Sequence, residues 1–394
     1  MMKFRHILWA WLSFAALTLA GCGGEGGISG TGSMGELRMS ITDAPACGYD
    51  FVNITVEKVR VHQSASAGDN DDGWSEIVLP QPLRVDLLTL TNGVLAELGR
   101  TPLPVGHYTQ LRLVLAANSN ANPLANSVKP SGGSEVPLTT PSGQQSGIKA
   151  NVNIDVATNQ LADFVIDFDA CKSVVEAGAS GQFLLKPVIS VIPRLVSGVS
   201  GFVHTSLLGP MTGISLQQSG VAIKSTMAAS TGEFLLQPVA PGTYDLVITA
   251  PGRATAVVAS VVVAADTVTA VNNMVGAINP PASGSGTLLG VVLVIGAPSI
   301  DANVGVLQGL TGGPTLTLAD APVNSVTGLY TYTMATAAPV VAAAVAPPAA
   351  LTFVPDSAAA GRMTLKATSN GVSKTSGLLT LTPGLSITTN FTFP

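Results

Sequence analysis

The chain has 394 residues, too many for one domain of typical size and enough for two or three. Charged residues make up only 10%, against roughly 25% in average soluble proteins, yet no train of apolar spans of membrane-crossing length accompanies that deficit. The formal net charge is −5 with no basic patch, which argues against a nucleic-acid partner.

At the N-terminus, Lys3, Arg5 and His6 precede a mostly apolar run over 7–19. That length suits a signal h-region and is too short for a spanning helix. Leu19-Ala-Gly-Cys22 resembles a bacterial lipobox, in which small residues precede a cysteine that receives diacylglycerol. The resemblance implies a signal peptide over 1–21 and Cys22 as the lipidated new N-terminus, leaving 373 residues. Acyl chains contribute about 0.8 kcal/mol per buried methylene, so several chains make a stable anchor. Gly23 after the cysteine resembles the outer-membrane default of Gram-negative lipoproteins. Cys22 with the Gly/Ser/Thr-rich stretch to residue 35 reads as a flexible tether. Gly30-Thr-Gly-Ser-Met-Gly35 is a formal GxGxxG, but a tether precedes it where a dinucleotide site needs a strand.

With Cys22 taken by lipid, Cys47 and Cys171 remain, an even pair in an oxidising compartment. They are expected to form a disulfide closing about 124 residues; two free thiols are the alternative. Loop entropy assigns such a link several kcal/mol, given ~4.7 for a 100-residue loop. No CxxC is present to suggest a zinc ribbon or a thioredoxin-like site.

Residues 36–195 predict one mostly antiparallel β domain. Runs with β character fall at 36–42, 52–62, 74–79, 107–116, 147–156, 161–168 and 183–192, separated by Gly, Pro and Asn/Asp clusters. Residues 84–93 read as a strand leading into a short helical turn. The pieces Ile41-Thr-Asp-Ala-Pro45, Val85-Asp-Leu-Leu88, Leu103-Pro-Val-Gly-His-Tyr108, Ile166-Asp-Phe-Asp-Ala170 and Leu185-Lys-Pro-Val-Ile189 occur in order. Together they resemble a bacterial lipoprotein-associated domain of unknown function. The resemblance carries over no catalytic residue, because that family has none assigned.

Residues 196–285 contain Ser230-Thr-Gly-Glu-Phe234 and then Ala240-Pro-Gly-Thr-Tyr-Asp-Leu-Val-Ile248. A Gly-x-Phe strand start and a Pro-Gly-x-Tyr turn with inward Tyr244, Leu246 and Ile248 resemble a carboxypeptidase-regulatory-like, transthyretin-like β-sandwich. Only that accessory module is present, with nothing resembling the peptidase. Residues 286–394 read as a divergent copy. Thr287-Leu-Leu-Gly parallels the opening strand, 326–332 parallels 230–235, and 361–371 parallels 242–252. An extra Ala/Pro/Val segment spans 335–350. The alternative for this tail is one strand array with no sandwich. The expected fold class is therefore all-β: an N-terminal antiparallel β domain followed by one or two transthyretin-like or Ig-like sandwiches.

Few residues carry chemistry. His62, His107 and His204 fall in no metal-ligating pattern, and no serine sits in a GxSxG elbow. Asp167 and Asp169 alternate with Ile166 and Phe168, so both carboxylates should share one strand face. With Asp43 they form a candidate acidic ligand site; the alternatives are a solvent face or salt bridges to Lys172 or Arg112. Asp69, Asp71 and Asp72 are candidate Ca²⁺ ligands, although Gly73 and Pro80 break the EF-hand pattern and a solvated hairpin loop is the other reading. Trp74 and Tyr108 are candidate ligand platforms or core residues.

No catalytic residue is assigned and no cofactor is expected beyond a loose Ca²⁺. The reading that follows is a non-catalytic envelope lipoprotein, anchored in the membrane by its lipid and binding an envelope protein or glycan. Two readings compete with it, a calcium-dependent adhesin and a hydrolase using Asp167 and Asp169. The charge deficit is uneven: 27 charged residues lie in 36–195 but only 11 in 196–394. Weakly charged strands aggregate when their edges are open, so the C-terminal edges should be covered or meet a neighbour.

Overall fold

The computed structural model describes residues 33–43, 48–140, 146–178 and 181–394. The signal peptide, the lipobox and most of the tether lie outside them. The first strand starts at Met34, just inside the span assigned to the tether. Among the described residues no helix is long and apolar enough to cross a membrane.

Strands β1 (Met34–Asp43), β2 (Tyr49–His62), β3 (Ser75–Asp86), β4 (Ala96–Pro104), β5 (Gly106–Leu115), β6 (Ser127–Pro130), β7 (Val136–Thr139), β8 (Ile148–Val156) and β9 (Leu161–Phe168) open the first module. Helix α1 (Ala170–Ser173), β10 (Val174–Ala177), β11 (Gln182–Leu185) and β12 (Ile189–Pro193) complete it. One sheet runs β12-β9-β1-β4; the other runs β10-β11-β7-β6-β2-β5-β8 with β3 against β2. The period-two alternation of β1 places Leu37, Met39 and Ile41 wholly inside, in one core with Ile54, Leu111, Leu113 and Ile166. Pro80 and Pro82 are tolerated because β3 pairs with β2 alone and its other edge needs no N–H. The module is mixed rather than purely antiparallel. β1 lies parallel to β9, because the intervening chain builds the second sheet before returning, and β11 lies parallel to β7, because the chain between them passes through β9 of the first sheet.

The second module comprises β13 (Gly198–Phe202), β14 (Gly213–Gln218), β15 (Val221–Thr226), β16 (Glu233–Leu236), β17 (Gly242–Thr249), β18 (Ala256–Val263) and β19 (Val268–Ala270). The third comprises β20 (Ser285–Val294), β21 (Ala302–Gly309), β22 (Thr315–Pro322), β23 (Leu329–Ala335), β24 (Val340–Ala343), β25 (Val354–Pro355), β26 (Arg362–Ser369), β27 (Val372–Thr375), β28 (Leu379–Thr380), β29 (Ser386–Thr388) and β30 (Phe391–Phe393).

Their topologies repeat. The second module has sheets β16-β13-β19 and β15-β14-β17-β18, and the third has β23-β20-β29 and β22-β21-β26-β27. In each, the central strand of the smaller sheet is antiparallel to one neighbour and parallel to the other. Each pair of sheets encloses its own core, around Ile214, Phe234 and Leu246 in one and Leu288, Val304 and Leu365 in the other.

The copies are not independent. The extra Ala/Pro/Val segment supplies β24 and β25, and β24 adds in parallel to β18 of the second module. The Val340 N–H donates to Thr255 O at 2.8 Å and the Ala344 N–H to Ala259 O at 3.0 Å. Val340 is buried in the second module's core. One apolar edge of the low-charge half is thereby covered by the chain itself. A further cluster of Val247, Val257 and Leu316 buries the outer face of β17 and β18 against β22. This explains why Leu246-Val-Ile248 and Ala256-Val-Val258 read as continuous apolar runs: both of their faces are covered. All three modules belong to one compact unit, Ser33–Pro394.

Candidate functional site

The candidate carboxylates meet where the modules join. Asp167 is the penultimate residue of β9, and Asp169 is the N-cap of α1. The Asp169 carboxylate accepts the Lys172 N–H at 3.0 Å and faces the Lys172 ammonium at 3.1 Å. Asp43, at the end of β1, is buried and accepts the Ala170 N–H at 2.9 Å, which fixes the start of α1 to the sheet. Asp167 meets Lys224 of β15 at 2.6 Å, and the Lys224 side chain is 3% exposed. The two carboxylates thus lie in one cleft between the first and second modules, each with its own lysine. The expected salt bridge from Asp169 to Lys172 is present, whereas Arg112 turns elsewhere.

β15 inverts the pattern its sequence suggests. Val221 and Ile223 face solvent, while Lys224 and Thr226 point inward. The reason is the neighbouring module: Lys224 reaches Asp167, and the Thr226 hydroxyl lies against the Asn92 turn. The Asn92 N–H donates to Thr226 Oγ1 at 2.8 Å, and Asn92 Oδ1 accepts the Leu235 N–H at 2.9 Å. Asn92 sits at φ 57°, a conformation asparagine tolerates and a β-branched residue would not.

The third module closes the arrangement. Lys186 pairs with Asp301 at 3.0 Å, and Asn324 Oδ1 accepts the Gly178 N–H at 3.2 Å. Gln217 of β14 mimics a strand neighbour, accepting the Thr317 N–H at 2.9 Å and donating to its carbonyl at 2.7 Å. A cavity of about 420 Å³ remains at this junction, lined among others by Asp169, Lys172, Met211, Leu318, Asp320 and Tyr332. Burial pushes the Asp320 carboxyl above its ordinary value, and Lys172 only partly offsets it. Burial works against the Lys172 charge, yet Asp169, Asp320 and Asp167 outweigh it and hold the ammonium above its ordinary value. Burial also raises the Tyr332 phenol, reinforced by Asp320.

The acidic loop takes a different form from a cation site. Asp69 pairs with Arg112. Asp71 accepts the Gly68 N–H at 2.8 Å, and the Asp72 carbonyl lies 3.0 Å from His62 Nε2. Among the described residues no group of three or more His, Cys, Asp or Glu is placed to hold a metal. Trp74 lies between Arg60 and Arg112, whose guanidinium carbons stand 4.5 and 4.9 Å from its ring centre, and its indole N–H donates to Gly68 O at 2.9 Å. Trp74 therefore pins the loop. Tyr108 is core, and its hydroxyl donates to Pro104 O at 2.9 Å.

Cys171 is half-buried and disulfide-bonded. Its expected partner Cys47, like Cys22, lies outside the described residues. Sequence reasoning missed Lys224, Asn92, Asp320 and Tyr332. The one available signal was a lysine in a strand of a half almost devoid of charge.

Residues 34–187 match the family model described as a domain of unknown function, DUF4382. No curated protein matches the chain. Among solved structures, a type II cohesin–X–dockerin complex from Acetivibrio cellulolyticus is similar at 26% identity, covering 22% of this chain and 59% of that one with a TM-score of 0.18. The Bacillus anthracis TIE protein is similar at 11% identity over 91% of this chain and 50% of its own, with a TM-score of 0.19. The pilus adhesin SpaC from Lactobacillus rhamnosus GG, in its open conformation, is similar at 10% identity over 92% and 43%, with a TM-score of 0.15. The chain thus spans about half the length of these structures. Similarity at these scores carries no information on activity.

Proposed function

We propose that this chain is a non-catalytic envelope lipoprotein. Lipidated at Cys22, it holds a rigid body of three β-modules at the outer membrane, on the periplasmic or the surface side. The body serves as a structural, adhesion or glycan- or protein-binding module. The lipobox and tether support the anchoring, and the match of residues 34–187 to a domain of unknown function is compatible with it. The observation that carries the non-catalytic reading is the pairing of both candidate acids. Asp167 and Asp169 are held by Lys224 and Lys172 at 2.6 and 3.1 Å, which leaves no free carboxylate pair for acid–base work. The engaged side chains of Asp69 and Asp71 weigh against the calcium-dependent reading in the same way. In this reading Cys171 pairs with Cys47, as an oxidising compartment favours.

The test is palmitate labelling with membrane fractionation. The wild-type chain should carry label and sediment with the outer membrane. Cys22→Ala should lose both the label and the membrane association. An unlabelled soluble wild type would overturn the anchoring. Turnover in a hydrolase screen that Asp169→Asn abolishes without unfolding would overturn the non-catalytic part.

A further inference from the structure

The second and third modules close on themselves in the same way. In the second, the first strand, β13, and the last, β19, lie side by side and parallel, with Gly198 level with Val268 and Ser200 with Ala270. In the third, β20 lies parallel to β29 and β30, with Thr287 level with Ser386 and Leu289 with Thr388. The bonds that flank these ladders correspond one for one. The Gly198 N–H donates to Thr267 O at 3.0 Å, as the Thr287 N–H does to Leu385 O at 2.8 Å. The Val271 N–H donates to Ser200 O at 2.9 Å, as the Thr389 N–H does to Leu289 O at 2.9 Å. One residue further on, an asparagine side chain continues the ladder in both. Asn272 Oδ1 accepts the Phe202 N–H at 2.7 Å, and Asn390 Oδ1 accepts the Val291 N–H at 2.9 Å. Asn272 Nδ2 also donates to Phe202 O at 2.8 Å. So close an approach needs glycine on the first strand: a Cβ on Gly201 would collide with Asn272 Oδ1, and one on Gly290 with Thr389 O. The clasp persists in copies divergent enough that Met363 stands where Tyr244 does.

The chain enters each of these modules at the start of its first strand and leaves at the far end of a parallel one. Tension along the chain therefore drives the two strands past each other lengthwise, and the bonds between them are loaded together. The first module is built otherwise. β1 is parallel to β9 but the last strand, β12, is antiparallel to it, so Pro193 lies level with Phe164 and Met39, towards the end where β1 begins. Tension there parts the strands from one end and loads their bonds in turn. We propose that the second and third modules bear tensile load along the chain, with Asn272 and Asn390 as the clasps that hold their terminal strands against sliding. This rests on the structural reading of the body proposed above and not on the lipid, so an unlabelled chain would leave it standing.

Stretching the mature chain between its two ends at constant force tests this. At about 3.4 Å per extended residue, yielding of 34–193, 198–271 and 285–393 lengthens the chain by about 54, 25 and 37 nm, which identifies each event. The first module should yield at a lower force than the other two. Forced unfolding follows the unfolding rate, so Asn272→Ala should raise the yielding rate of the second module about fivefold or more and leave the third unchanged, and Asn390→Ala should do the reverse. Asn390 is exposed, so its variant carries the test even if Asn272→Ala does not fold. Tyr244→Phe removes a hydroxyl bond of the second module outside the clasp and should leave the yielding rate unchanged. A first module that holds at least as well as the other two, unchanged rates in the asparagine variants, or an equal effect of Tyr244→Phe would each overturn the proposal.

Discussion

Asp167→Asn removes the carboxylate that neutralises Lys224 across the boundary between the first two modules. The Lys224 side chain is 3% exposed, and its ammonium makes one hydrogen bond, at 2.6 Å to Asp167. The substitution leaves a buried ammonium without a counter-charge, at a cost of about 3–5 kcal/mol. Lys224→Met leaves the other half of the pair. Asp167 is 15% exposed and still feels the Lys172 ammonium, so the cost should be smaller, about 2–3 kcal/mol. Replacing both, with Asp167→Leu and Lys224→Met, removes the two desolvation penalties together and should return stability to within about 1 kcal/mol of wild type. Urea unfolding provides the assay. Trp74 is the sole tryptophan after the predicted signal peptide, so its fluorescence reports on the first module alone. A cost below about 1 kcal/mol for Asp167→Asn, or a double variant no more stable than Lys224→Met alone, would refute a buried, coupled pair.

The remaining predictions concern other elements. Tyr244→Phe and Tyr108→Phe each remove a hydroxyl that donates across a turn, to Ala240 O and Pro104 O at 2.9 Å, and should each lower stability by about 1 kcal/mol in thermal or urea melts. Val340→Ala opens space in the second module's core although Val340 follows that module in sequence, and should cost about 2 kcal/mol; an unchanged melt would show that β24 is not part of that core. Asp320 is raised in the folded state, so the folded chain holds that proton more tightly than the unfolded one. Its contribution is fully present in acid and is lost as pH rises through the raised value. Asp320→Asn should therefore be at least as stable as wild type at neutral pH, with the difference shrinking as pH falls into the ordinary carboxylate range. A wild type that instead gains on Asp320→Asn as pH rises would contradict the sign.

Much of the fold is legible because strand periodicity is local. Leu37, Met39 and Ile41 alternate in β1 and are all fully buried. The short, Pro- and Gly-bounded strands β4, β6, β7 and β10 left no comparable trace, since four to nine residues held by pairing carry little pattern of their own. The divergent repeat was visible through its turns. Its strand order is identical to that of the second module even though Met363 stands where Tyr244 stands. The segment that broke the repeat proved to be the one that leaves its module and completes β18.

Sequence alone determined the all-β class, and it supplied the expected three-part division, the expected lipid attachment at Cys22 and the short roll of candidate acids. Alternation, turn residues and a lipobox are all written within a few consecutive positions. Only the tertiary structure decided what those acids do. Lys224 and Asp320 come from other modules, and whether a carboxylate is a free acid or one half of a buried pair depends on which charge arrives within 3–4 Å of it. That distance is set by packing between parts of the chain separated by 57 residues for Asp167 and Lys224. Local spacing carries no record of it.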